Sequence, residues 1–100
     1  MFALVVRFDL LDLGAAERFD ALVEELLPQI AAHEPDTLVY AVHTVADAPL
    51  SRIFYERYTD RAALDTHEAQ PHTRYFLTEK DALLSGSRVE FLTPNGGVGR

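Results

Sequence analysis

An α+β domain of βαββαβ order, with a four-stranded antiparallel sheet of ferredoxin-like topology, is predicted by three features of the sequence. Four short segments rich in β-branched and aromatic residues are interleaved with two helical stretches. The first helical stretch, 15–33, carries a continuous apolar stripe. The first two strand segments are apolar on both faces, which a single layer of helices does not account for.

Phe2 to Phe8 is almost wholly apolar and reads as a buried strand, broken by Asp9 to Gly14. From Ala15 to His33, Phe19, Leu22, Val23, Leu26, Leu27 and Ile30 fall at i, i+3, i+4, i+7 spacing, the signature of an amphipathic helix. Pro28 removes the bond to the carbonyl of Glu24 and is expected to kink that helix without ending the stripe. Glu34-Pro35-Asp36 ends it. Thr37 to Val45 is the second strand, Ala46 to Leu50 a loop, and Ser51 to Thr59 the third strand. Strand alternation puts Phe54, Glu56 and Tyr58 on one face and Ile53, Tyr55 and Arg57 on the other. Asp60 suits the N-cap of a short helix through Glu68, and Pro71 the first position of another running to about Leu84. Ser85-Gly86-Ser87 reads as a turn, Arg88 to Thr93 as the fourth strand, and the segment after Pro94 as a flexible tail, so the folded domain is expected to span 1–94 and the tail 95–100.

In this topology both helices cover one face of the sheet. The other face would expose apolar surface unusual for a soluble monomer, and a second copy packed sheet to sheet about a two-fold axis would cover it. A homodimer is therefore expected. The length of 100 residues allows one domain. The net charge of −7 and scattered basic residues argue against nucleic acid as a partner. The absence of cysteine excludes a disulfide framework, a thiol nucleophile and a thiolate metal site. No apolar run approaches membrane-spanning length and the first residues lack a signal-peptide pattern, so the expected location is cytoplasmic, with no membrane partner. The glycines at 96, 97 and 99 follow the last strand with no helix behind them and do not make a phosphate loop.

Glu34-Pro35-Asp36-Thr37-Leu38-Val39-Tyr40, Phe54-Tyr55-Glu56-Arg57-Tyr58-Thr59-Asp60, Ala63-Leu64-Asp65-Thr66-His67 and Pro71-His72 together resemble the antibiotic-biosynthesis monooxygenase pattern. The resemblance covers roughly Phe2 to Pro94 and implies a dimeric α+β barrel with a pocket in each subunit between the sheet and its own helices. It also implies an activity drawn from a varied set: cofactor-independent oxidation of quinols and aromatic polyketides, haem degradation, isomerisation, or none. Two departures narrow that set. Tyr58 stands where many members carry Trp, and Arg7 stands where the haem-degrading branch uses Asn, so the resemblance does not extend to haem degradation.

Glu56, in a strand between aromatic residues, has to be paired, protonated or solvated by a pocket. It suits a pocket acid or base, or equally a structural ion pair. His67 lies three residues after Leu64 on one side of the short helix and is expected to meet Glu56, which would fix its tautomer and raise the basicity of its other nitrogen; tethering the helix end is the structural alternative. His67 and Glu56 are thus the candidate catalytic residues. Phe54, Tyr58 and Phe76 are candidate aromatic walls, or plain core; His72 is placed at the pocket mouth or in solvent; and Arg7 is expected to hold a ligand anion or pair with an acid such as Glu56. His67 and His72 lack the helical spacing of a metal pair. The expected function is a cofactor-independent monooxygenase acting with O2 on a small aromatic or quinol-type substrate. A non-redox isomerase or cyclase, or a non-catalytic ligand-binding dimer, is the alternative.

Overall fold

The computed structural model describes all residues, 1–100, and shows the order β1 (Phe2–Leu10), α1 (Leu13–His33), β2 (Thr37–Val45), β3 (Ala48–Tyr58), α2 (Arg61–Ala69), α3 (Pro71–Lys80), a single 3₁₀ turn (Asp81–Leu83) and β4 (Leu84–Leu92). The sheet order is β2-β3-β1-β4 with every neighbouring pair antiparallel, which is the ferredoxin-like arrangement. No helix is long and apolar enough to cross a membrane.

The core forms between one sheet face and α1. Leu4, Val6, Phe8 and Leu10 of β1 point toward the helices, and the stripe of α1 buries Phe19, Leu22, Val23, Leu26 and Ile30 against them. At its centre Phe19 meets Phe8, Phe54 and Phe76 with ring centroids 5.3 to 5.8 Å apart, in tilted or edge-on contacts that suit the ring quadrupoles. The helix begins two residues earlier than the stripe suggests because Asp12 caps it, its Oδ1 accepting from the Ala15 amide at 2.8 Å. Pro28 lies within α1, which continues to His33.

Other boundaries also differ from the sequence expectation: β1 runs on through Asp9 to Leu10, still paired with β3 and β4, instead of breaking at Asp9. The β2–β3 connection is not a loop from Ala46 to Leu50 but a tight turn, with Asp47 at φ 63° and Val45 already opposite Ala48. α3 stops at Lys80 rather than near Leu84. β4 starts at Leu84, so Ser85-Gly86-Ser87 is strand and not turn: Phe8 pairs Ser87 and Asp9 pairs Gly86. Ladder bonds to a central strand outweigh the local turn preference of Ser and Gly.

The opposite face of the sheet has no helix over it. Its middle rows are Val39, Arg57, Ala3 and Leu92, then Ala41, Tyr55, Val5 and Glu90, then His43, Ile53, Arg7 and Arg88. Apolar side chains dominate the centre of this face and charged ones its β4 side.

Because Phe19 joins β1, β3 and α3 through ring contacts, Phe19→Ala is expected to lower the unfolding free energy by about 3–5 kcal/mol. A urea titration reads this as a fall in midpoint at unchanged slope.

Candidate active site

A cavity of about 390 Å³ lies between the sheet and the α2–α3 pair, within the usual size range of small-ligand sites. Strand register sets its floor. Tyr40, Glu56, Leu4 and Phe91 form one row across the sheet; Val6 beside Val89 and Phe8 beside Ser87 belong to the next two rows. Arg61, His67 and Glu68 of α2 and Phe76 and Lys80 of α3 are part of the roof. The walls are thus largely apolar, with polar groups concentrated at the Tyr40–Glu56 row.

His67 is buried in the last turn of α2, where Asp60 at the other end caps the helix by accepting from the Ala63 amide at 2.9 Å. Its Nδ1 lies 2.6 Å from Oε1 of Glu34, whose side chain is only 2% exposed. His72 Nε2 meets the other oxygen of the same carboxyl at 2.5 Å, and the Thr37 hydroxyl donates to Oε1 at 2.8 Å. A carboxylate only accepts, so both imidazole nitrogens facing it carry the proton. That fixes the His67 tautomer: Nδ1–H points at Glu34 and the Nε2 lone pair is free. Burial pulls the His67 pKa below its ordinary value against the opposing pull of Glu34, so the ring is mainly neutral at pH 7.

Glu56 is buried on the same face. The Tyr58 hydroxyl donates to its Oε1 at 2.6 Å. Burial raises its pKa to about 7, the Tyr58 bond opposes this, and the nearby charges of Glu68 and Glu34 add to it. Tyr40 and Tyr58 are both held well above the ordinary phenol value, chiefly by burial and then by Glu56, and remain protonated donors. No buried side-chain nitrogen or oxygen in the protein lacks a partner. His67 Nε2, Glu56 Oε2 and the Tyr40 hydroxyl make no hydrogen bond within the chain, and all three residues line the cavity. A neutral base, a carboxyl poised near neutrality and a phenol donor therefore converge on one volume. Their rings adjoin too: Tyr40 lies 5.2 Å and Tyr58 5.6 Å from His67, centroid to centroid.

The structure brings Glu56, His67 and Phe76 to the cavity and places the other candidates elsewhere. His67 pairs with Glu34 and not with Glu56, because the C-terminus of α1 reaches the imidazole on its Nδ1 edge. Phe54 and Tyr58 are fully buried and belong to the core, with the Tyr58 hydroxyl committed to Glu56. His72 is 12% exposed in its side chain and faces a separate groove between α1 and α3. Arg7 points to the open face of the sheet, since Leu4, Val6 and Phe8 take the helix side. There it donates to Asp9 at 3.2 Å and to Ser51 at 3.0 Å. His43 bonds the Ile53 carbonyl and His33 stacks on His72, both away from the cavity.

Sequence reasoning missed Glu34 and Tyr40. Glu34 had a signal: a carboxyl at a helix C-terminus sits against the dipole and needs donors from elsewhere. Tyr40 had one only once register was known, as the residue directly across from Glu56.

Fold and cavity together define a small ferredoxin-like α+β protein with an acid–base pocket under its helices. The chain belongs to the antibiotic biosynthesis monooxygenase family, whose model matches residues 1–79. Among solved structures it is similar to one described as an antibiotic biosynthesis monooxygenase, at 24% identity and TM-score 0.86 over 96% of this chain and 100% of that one. A Mycobacterium tuberculosis protein matches at 25% identity and TM-score 0.85, with 98% of both chains covered. A Caulobacter crescentus protein carrying the family's name matches at 19% identity and TM-score 0.86, over 95% of this chain and 90% of that one. Comparison with curated proteins gives no match.

Glu56 makes stability depend on pH with a definite sign. Its folded pKa of about 7 lies above the unfolded value of 4.5, so its contribution is fully present below pH 4.5 and is lost as pH rises through 7. Relative to Glu56→Gln, the wild type is expected to lose about 2–3 kcal/mol between pH 4.5 and 8, as measured by parallel urea melts. His67 works the other way, its depressed pKa withdrawing stability as pH falls below 6.5.

Proposed function

We propose that this protein is a cofactor-independent monooxygenase that oxidises a small electron-rich aromatic, a quinol or hydroxylated polyketide-type ring, with O2, and that it works as a homodimer. The observation that carries the reading is the neutral His67 imidazole, locked by Glu34 with Nε2 free in an apolar-walled cavity. Membership of the family supports it.

The chemistry needs a proton removed and an anion held. His67 Nε2 takes a proton from the ring CH2 of an anthrone-type substrate, acidified by the conjugated ring carbonyl, or from the same carbon of a quinol in its keto form, and Glu34 steadies the imidazolium that forms. The Tyr40 hydroxyl and the protonated fraction of Glu56 donate to the ring oxygen as it gains negative charge. The carbanion gives one electron to O2; the ring radical and superoxide then couple to form a C–O bond, and the imidazolium returns its proton to the peroxide. Loss of the second C–H proton, with breakage of the O–O bond, leaves a carbonyl and hydroxide, which combines with that proton as water. One oxygen atom is retained, the other leaves as water, and the substrate supplies both electrons for it. The apolar walls keep bulk water from the anion.

The dimer is supported by the open sheet face. Val5, Ala41, Ile53 and Tyr55 lie there half-buried, with Arg7 against Asp9 and Arg88 against Glu90 on the same surface, a set able to pair across a two-fold axis.

Oxygen uptake on metal-free protein with a panel of quinols and hydroxyanthrones is expected to show turnover, and His67→Ala to lower it at least a hundredfold. Glu34→Gln should cost about ten- to a hundredfold while His67 remains in place. No uptake across the panel, or unchanged rates in His67→Ala, counts against the reading. Sedimentation should give a dimer at micromolar concentration, and Tyr55→Glu on the open face should shift it toward monomer; a wild-type monomer refutes the assembly.

A further inference from the structure

The cavity is polarised from end to end, and the end remote from His67 holds polar groups that the proposed chemistry does not use. Tyr40 and Glu56 mark the row through Leu4. At the row through Phe8, four residues further along β1 and so about 13 Å away, the cavity is lined by Lys80 and Ser87. Lys80 closes α3, and its ammonium lies over the Phe8 ring with Nζ 5.7 Å from the ring centroid. Its side chain is only 13% exposed, low for a lysine, and its one ionic partner within the chain is the adjacent Asp81 at 2.8 Å. Asp81 is 72% exposed, so that pair is weak and open to competition. Ser87, directly across from Phe8, is exposed, and its hydroxyl makes no hydrogen bond within the chain and is free to donate. Between the two ends run apolar walls that include Val6, Phe76, Leu77 and Val89.

A small single ring would fill only one end of this space. We infer that Lys80 and Ser87 form an anion subsite, and that the substrate is an elongated, fused-ring aromatic acid whose carboxylate binds there while its reacting ring lies at His67 and Glu56. The inference rests on the monooxygenase reading for the word substrate, but the subsite is a binding claim and stands or falls separately. The lysine supplies the charge and the serine a directed hydrogen bond. The other end holds Glu56 and Glu68 beside one cation, Arg61, so it carries no net positive charge, and the charge pattern favours entry with the carboxylate toward Lys80. Phe8, under the ammonium, holds it in place by a cation–π contact at the open β4 side of the cavity.

The test is calorimetric titration of anthraquinone-2-carboxylate and of its uncharged carboxamide, neither of which can turn over. Wild type is expected to bind the acid about tenfold more tightly than the amide, the worth of one charge-assisted hydrogen bond. Lys80→Met, which keeps the alkyl packing on Phe8, should abolish that preference while leaving amide affinity within about twofold, and raising salt should erode the preference in wild type. Thermal melts confirm that the variant is folded, and Lys80→Gln serves if Met is not tolerated. Equal affinities in wild type, no binding of the acid at millimolar concentration, or a preference that survives both Lys80 replacements overturns the subsite. Acid preference without oxygen uptake on any hydroxyanthrone retains the subsite and removes the oxygenase; uptake without acid preference does the reverse.

Discussion

The carboxylate of Glu34 is the constraint on which the site depends. It lies at the C-cap of α1, where its own amide closes on the Ile30 carbonyl, and it accepts from Thr37 at the start of β2, His67 at the end of α2 and His72 in the first turn of α3. One buried acid thereby ties four elements together. Its three donors satisfy it where an unpaired carboxylate would be costly, and they also account for an anion placed against the dipole of α1. The same arrangement that closes the fold at this corner decides which nitrogen of His67 is free. Structure and chemistry share a single group here, so neither can be altered alone.

The environments of the two catalytic candidates diverge for the same physical reason acting on opposite charges. Burial disfavours the charged form of both, which lifts Glu56 to about 7 and lowers His67. Tyr58 moderates the shift of Glu56 and is itself kept from ionising, a use for the tyrosine that stands at the end of β3.

Most of the fold was legible because it follows from periodicity. The α1 stripe, the alternation of β3 and the Asp60 and Pro71 signals each depend on neighbours within a few residues. β4 was misjudged because Ser85, Gly86 and Ser87 have turn chemistry, and only their pairing with Phe8 and Asp9, far away in sequence, makes them strand. The site divides along the same line. Glu56 and His67 were legible as chemically capable residues on helix-covered faces. Which carboxylate His67 would meet was not, because that depends on where a 21-residue helix delivers its last residue. Arg7 was misplaced for a simpler reason: alternation sent it away once Val6 and Phe8 were fixed inward, and a charge following an apolar run suggested a pocket when it marked the other surface.

Row order across the sheet has a consequence for how such a protein can diversify. The groups proposed to move protons sit on β2, β3 and α2, on one flank of the cavity, whereas the edge strand β4 contributes only Ser87, Val89 and Phe91, whose side chains shape the opposite flank. Replacing those three remodels the mould without disturbing the reactive flank, since no hydrogen bond links them to Glu34, His67 or Glu56. The scaffold thus separates what is done from what it is done to, and an edge strand, bonded to one neighbour only, is the part of a sheet most tolerant of being rewritten.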